Sequence, residues 1–171
     1  MKLELQKPSL KMLPSYLEFI EEMAAIGEKI WDSQRPKGHE THEEYVQKLL
    51  AAETGLGEND VPENVYWTVL DGVVVGRIAL RHHLTENLKE FGGHIGYEVR
   101  PSYRKRGIAT EMLRLVLQTP KAQDIGEFLL TCSPDNIGSN KTITANGGTL
   151  KNTAFVERVQ RSTNYYWIIL P

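Results

Sequence analysis

The 171-residue chain holds one cysteine, Cys132. That count excludes an intramolecular disulfide framework and suits a reducing compartment. Long apolar runs are also missing. Nothing approaches the roughly 18 consecutive apolar residues of a membrane span, and the opening MKLELQKPSLKMLP lacks the uninterrupted apolar stretch of a signal peptide. A soluble, cytoplasmic protein without a membrane partner is expected. Nor is there a basic excess: 20 Lys and Arg face 22 Asp and Glu, a formal net charge of -2. Proteins that neutralise many phosphates usually carry a positive surplus, so a nucleic-acid partner is disfavoured. The P-loop G-x-x-x-x-G-K-[ST] and the dinucleotide G-x-G-x-x-G are both absent. His39 and His42 stand three apart, yet no third ligand lies near them, and no metal site is expected.

What is present reads as an ordinary globular chain, 40% apolar and 25% charged, expected to form one domain over residues 1–171. Lys2 to Gln6 alternates as a strand. Ser15 with Glu18, and Thr41 with Glu44, have capping-box spacing and predict two helices, the first burying Leu17, Ile20, Met23 and Ala24, the second Tyr45, Val46, Leu49 and Leu50. Residues 53–64 and 84–90 read as loops. VYWTVL and VVVGRIALR flank Asp71-Gly72, the signal for a hairpin with a type I′ turn. HIGYEV is a further strand, and Ile108 to Leu117 a helix stopped by Pro120. EFLLTC follows as a strand and Asn136 to Gly148 as a helix with its glycine stop, before two closing strands.

The stretch YRKRGIATEM, from Tyr103 to Met112, raises the functional question. Its three cations could serve a nucleic acid, a localisation signal, a solvated turn or a phosphate-bearing ligand. A strand ends just before it and a helix begins at Gly107. Helix N-termini present unpaired amides and the positive end of the dipole, so a pyrophosphate is well served there. Gly107 permits a left-handed backbone and close approach, Ala109 is small, and Arg104 and Arg106 can add charge-assisted contacts. Taken alone, R-x-x-G-x-A is also compatible with an ordinary basic turn.

The surrounding residues are more specific. HIGYEVRPSYRKRGIATEMLRLVL resembles the acetyl-CoA-binding signature of the GNAT superfamily of N-acetyltransferases: a strand, then [QR]-x-x-G-x-[GA], then a helix. LLTCSPDNIGSNKTITANGG resembles the next strand and helix of that family, with Asn136 and Ser139 in N-x-x-S spacing. GGHIGY, RPSYRKRG, LTCSPDN and NGG together look like a bacterial subgroup of predicted acetyltransferases. The resemblance implies an α/β fold, a mixed and mostly antiparallel central sheet of about seven strands with flanking helices. It implies acetyl-CoA as co-substrate, bound where two central strands splay. Val99 and Arg100 would lie beside the pantetheine arm, and the amides of Lys105, Arg106, Gly107, Ile108, Ala109 and Thr110 would hold the pyrophosphate together with Arg104. Asn136 and Ser139 would meet the arm from the helix.

Such chemistry is acyl transfer to a primary amine of a small molecule, peptide or protein. The attacking amine must lose a proton, and the resemblance places the candidate bases His94 and Glu98 on the central strand. Their plainer alternatives are a packed histidine and a carboxylate paired with Arg81 or Arg100. Many members carry a tyrosine four residues before the helix-terminal glycine to protonate the thiolate; Ile143 stands there here. Water or Tyr97 would have to substitute, and a noncatalytic acyl-CoA-binding or sensing domain is the alternative function. Trp31, Tyr45 and Trp67 fall where the fold borders its acceptor pocket. Cys132 is read as a buried strand thiol. Closing strands often pair two copies in this fold, which allows a homodimer.

Overall fold

A computed structural model describes residues 2–171. Strand β1 (Leu3–Gln6) leads into helix α1 (Leu13–Ala25) and helix α2 (His42–Ala51). The hairpin β2 (Glu63–Leu70) and β3 (Val73–Arg81) follows, with Asp71 at φ 49° and Gly72 at φ 80°. Two consecutive positive φ values are what a type I′ turn demands, and Asp-Gly supplies them. A short helix α3 (Glu86–Glu90) precedes strand β4 (Ile95–Val99). Then come α4 (Ile108–Leu117), α5 (Pro120–Ile125), β5 (Glu127–Cys132), α6 (Ile137–Ala145), β6 (Thr149–Val156) and β7 (Arg161–Ile169).

The seven strands form two antiparallel sheets, ordered β1-β2-β3-β4 and β5-β7-β6. The larger sheet is covered on both faces. Tyr16, Phe19, Tyr45, Trp67 and Ala79 join α1 and α2 to one face. Ile78, Leu80, Met112, Leu113, Phe128 and Ile168 join the other face to α4 and the smaller sheet. Truncating a side chain such as Phe128, fully buried, costs about 3–5 kcal/mol. Gly76 lets α4 approach closely: a Cβ there would stand 2.7 Å from the Met112 sulfur and 2.9 Å from the Glu98 carbonyl oxygen.

Three local expectations change. Helix α1 starts at Leu13, and Ser15 does not cap it. The β2–β3 register shifts between Thr68 and Val69, and the Val74 amide beside that bulge donates to Ser15 Oγ at 2.9 Å. A buried amide without a ladder partner outcompetes a helix end that water can satisfy. Residues 84–90 contain helix α3, because Thr85 Oγ1 accepts from the Leu88 amide. Pro120 both stops α4 and opens α5, where its missing N–H is harmless in the first turn. By contrast, the Thr41–Glu44 box forms in both directions.

Candidate active site

Strands β4 and β5 are edges of the two sheets, and they touch only at one end. There the His94 amide donates to the Leu129 carbonyl at 2.8 Å, while His94 Nδ1 accepts from the Leu129 amide at 2.9 Å. Gly93 makes the junction possible, since a Cβ would stand 2.3 Å from the Leu129 oxygen. Beyond this pin the strands diverge into a cleft of about 1080 Å³, lined by β4, the stretch 103–110, the end of β5 and α6.

The β4 backbone is directional. Arg81 donates its amide to the His94 carbonyl, and Arg100 donates its amide to the Val75 carbonyl, both at 2.8 Å. Alternation then turns the amides and carbonyls of Tyr97 and Val99 toward the free edge, along the cleft. The Val99 carbonyl is taken by Arg104 Nε at 2.9 Å; its amide is left facing the cleft. Arg100 belongs elsewhere: its guanidinium reaches Glu22 at 2.7 Å and Glu18 at 3.4 Å on α1, so neither its side chain nor its amide faces the cleft.

At the foot of β4 the chain makes one 3-10 turn, Pro101–Tyr103, then takes a left-handed step at Lys105 (φ 62°) and another at Gly107 (φ 76°). Among the described residues, the amides of Lys105, Arg106, Gly107, Ile108, Ala109 and Thr110 have no acceptor within the protein. Six consecutive donors are thus unpaired where α4 begins, a backbone arrangement suited to an anion. The cations contribute less than their number suggests. Arg104 forms a two-pronged pair with Glu28 at 2.6 and 2.8 Å. Arg106 lies 5.1 Å over the Tyr103 ring and donates to the Ser102 carbonyl. Lys105 makes no ion pair among the described residues.

On α6, Asn136 is the cap: its Oδ1 accepts from the Ser139 amide at 3.0 Å, which leaves its amide nitrogen for the cleft. Ser139 Oγ lies 2.8 Å from Tyr97 Oη, a bridge from α6 to β4. Burial pushes the Tyr97 phenol up to about 12. Ile143 does not reach the cleft; it is 1% exposed in the core, and Thr142 lines the cleft instead. Asn140 was unmarked in the sequence. Its Oδ1 accepts from Tyr166 at 2.6 Å and Asn164 at 2.9 Å, and its amide nitrogen donates to the Ser133 carbonyl at 3.0 Å, fastening α6 to the second sheet.

The opposite face of β4 carries Glu98. It stands across the ladder from Arg77, not Arg81 or Arg100, with Arg77 Nη1 at 3.7 Å from Oε2. Gln34 Nε2 donates to Oε1 at 3.0 Å. Burial raises the Glu98 carboxyl, while Arg77 and Arg81 pull it down; burial prevails. His94 has a different place from Glu98. Burial, with Arg81 and His83 nearby, holds its imidazole down at about 4, so near neutrality it is a neutral acceptor clasping β5. It does not line the cleft. Of the three aromatic residues, Trp31 lines the cleft, whereas Tyr45 and Trp67 are fully buried in the core beside α1. Cys132 is a buried wall residue whose thiol burial pushes up.

Unpaired amides at a helix start, beside an edge strand that offers free backbone groups and a half-buried carboxylate, are an arrangement suited to an acyl-CoA-dependent transferase. The family profile "Acetyltransferase (GNAT) domain" matches residues 2–149. No curated protein gives a match. Among solved structures, the fold is similar to that of an acetyltransferase from Salmonella typhimurium that modifies the N-terminal serine of 50S ribosomal protein L7/L12. That likeness has 20% identity, covers 100% of this chain and 96% of the other, and has a TM-score of 0.69. Microcin C7 self-immunity acetyltransferase MccE, solved with acetyl-CoA and AMP, matches at 18% identity over 99% and 93% of the chains, with a TM-score of 0.66. A GNAT acetyltransferase from Bacillus anthracis matches at 17% identity over 99% and 95%, with a TM-score of 0.62. The chain belongs to the GNAT family of acetyltransferases, acyltransferases that draw the acetyl group from acetyl-CoA.

Proposed function

We propose that the protein transfers acetyl from acetyl-CoA directly to a primary amine in a ternary complex, with the six unpaired amides of residues 105–110 holding the pyrophosphate. Those amides carry the reading, because consecutive unpaired donors at a helix start favour an anion and the left-handed Lys105 and Gly107 shape the stretch that presents them. The pantetheine arm lies along the free edge of β4 and meets the Asn136 amide from α6. Glu98, raised by burial, takes the proton of the incoming ammonium. The neutral amine attacks the thioester carbonyl, the Val99 amide stabilises the oxyanion, the C–N bond forms, the nitrogen gives its second proton to water and the C–S bond breaks. Tyr97, held by Ser139, donates a hydrogen bond to the departing thiolate. Its phenol is far less acidic than a thiol of ordinary pKa near about 8.5, so it keeps its proton and water supplies the one that caps CoA.

On the acceptor side, Trp31 and Glu58 line the cleft near Glu98. The Trp31 ring already takes the ammonium of Lys29 at 3.6 Å from its centroid, which favours a cationic acceptor. Residues 1–171 act as one domain, because β6 and β7 complete the sheet that β5 begins. A reducing cytoplasm suits the buried Cys132 thiol, and the exposed edge strand β6 leaves room for a second copy.

The test is calorimetry with acetyl-CoA followed by thiol release over an amine panel that starts with peptides bearing N-terminal serine, the acceptor of the Salmonella relative. Absence of acetyl-CoA binding at millimolar concentration overturns the reading. Tight binding without thiol release on any amine favours a sensing domain, a second reading that rests on Ile143 being buried where a tyrosine would serve.

A further inference from the structure

We infer that Gln34 is a positioning residue for the reaction, a buried carboxamide that locks the Glu98 carboxylate and the Trp31 segment of the acceptor side into one hydrogen-bonded unit. The inference rests on the reading of Glu98 as the base. Gln34 lies on the single 3-10 turn Asp32–Gln34, between α1 and α2, and is only 1% exposed. Glutamine is seldom buried so fully without a demanding set of partners. Here each end of the carboxamide has one. Its Oε1 accepts from the Trp31 amide at 2.8 Å, and its Nε2 donates to Glu98 Oε1 at 3.0 Å. Because a backbone N–H can only donate, the oxygen must face Trp31, and the nitrogen must therefore face Glu98.

The turn that carries Gln34 is itself strapped down. Tyr16 of α1 donates its hydroxyl to the Gln34 carbonyl at 2.9 Å, and Tyr45 of α2 donates to the Ser33 carbonyl at 3.1 Å. Two fully buried tyrosines from two helices thus fix a three-residue turn whose outward product is one N–H aimed at a carboxylate. Trp31, three residues earlier on the same turn, is 45% exposed and lines the cleft. Acceptor contact at Trp31 and proton affinity at Glu98 meet in a single side chain.

The charged and titratable groups around Glu98 are Arg77 and Arg81 of β3, Glu58 before β2, Glu63 at the start of β2, and the phenols of Tyr16 and Tyr45. Arg77 is the nearest cation, at 3.7 Å and without a hydrogen bond to Glu98, and Glu98 Oε2 has no hydrogen-bond partner among the described residues. Among the described residues, Gln34 is consequently the one group that donates a hydrogen bond to this carboxylate. A donor to the charged form lowers the pH at which the base becomes available. Removing it moves that pH upward, and activity is lost first at the acid end.

The experiment measures kcat/KM against pH for the wild type, Gln34→Met, Gln34→Glu and Glu98→Gln, together with an NMR titration of the Glu98 carboxyl carbon, which needs no activity. Gln34→Met keeps the side-chain length without the donor, and the acid limb and the Glu98 titration should both move up by about one pH unit. Gln34→Glu puts a second carboxyl at the same place and should move them further. Acetyl-CoA affinity stays at the wild-type value in all variants. A purely structural Gln34 lowers activity equally at every pH, so an unmoved limb and an unmoved titration in folded Gln34 variants overturn the inference while leaving Glu98 as the base. An acid limb that persists in Glu98→Gln overturns both.

Discussion

At the scale of single residues, neighbouring positions on one strand have divided duties. Tyr97 and Glu98 point to opposite faces of β4, one toward Ser139 of α6, the other toward Gln34 on the turn between α1 and α2. Glu98→Gln should lower kcat about 100-fold with acetyl-CoA binding unchanged, as steady-state kinetics and calorimetry will read. Tyr97→Phe should cost about 10-fold in kcat, the size expected for one hydrogen bond to a developing charge rather than a lost proton donor. His94 works through stability instead. Its imidazole is held at about 4 in the fold, against about 6.5 when unfolded. The unfolded chain therefore binds the extra proton first, and stability present above pH 6.5 is lost as pH falls toward 4. Replacing His94 by Gln should flatten that part of the urea-denaturation stability profile, by about 3 kcal/mol between the two ends.

At the scale of elements, the β4–β5 junction and the start of α4 decide whether there is a site at all. Gly93→Ala sets a methyl against the Leu129 carbonyl, on a backbone at φ 63°. The pin must open or the strand must shift, and denaturation should show a loss of about 3 kcal/mol. Gly107 is the opposite case, because a Cβ there meets nothing within 4 Å. Gly107→Glu should cost the fold only about 1–2 kcal/mol for its left-handed backbone. The new carboxylate stands among the unpaired amides, however, and calorimetry should find acetyl-CoA binding abolished. Unchanged affinity would refute the placement of the pyrophosphate. The basic run YRKRG is thus an element that leaves the amides of residues 105–107 unpaired while its two guanidiniums are engaged with Glu28, Tyr103 and Ser102.

At the scale of the molecule, the cleft lies between two sheets joined edge to edge at one end, and a ligand that bridges them adds contacts no unliganded chain has. Acetyl-CoA at about 100 times its Kd should therefore raise Tm by about 5–10 °C in a thermal scan. With acetyl-CoA bound, amide exchange should slow at Tyr97 and Val99 on the free edge of β4 and at residues 105–110, whose N–H groups have no acceptor among the described residues. No helix among the described residues is long and apolar enough to cross a membrane.

By itself the sequence determined the elements whose signals are local. Asp71-Gly72 can satisfy two positive φ values without help, the Thr41–Glu44 box closes on itself, and the strand before YRKRG and the amphipathic helix after it form where their patterns place them. The family resemblance was legible for the same reason, since its motif is one strand, one turn and one helix. Tertiary structure decided what depends on partners far along the chain. Ser15 sits inside α1 rather than at its cap and its hydroxyl takes an amide beside a bulge 59 residues away, Arg100 turned to α1, Arg104 closed on Glu28, and His94 became a clasp on Leu129. Gln34 carried no sequence signal at all. Its role exists only because a turn after α1 is held 64 residues from Glu98 in sequence and 3.0 Å from it in space.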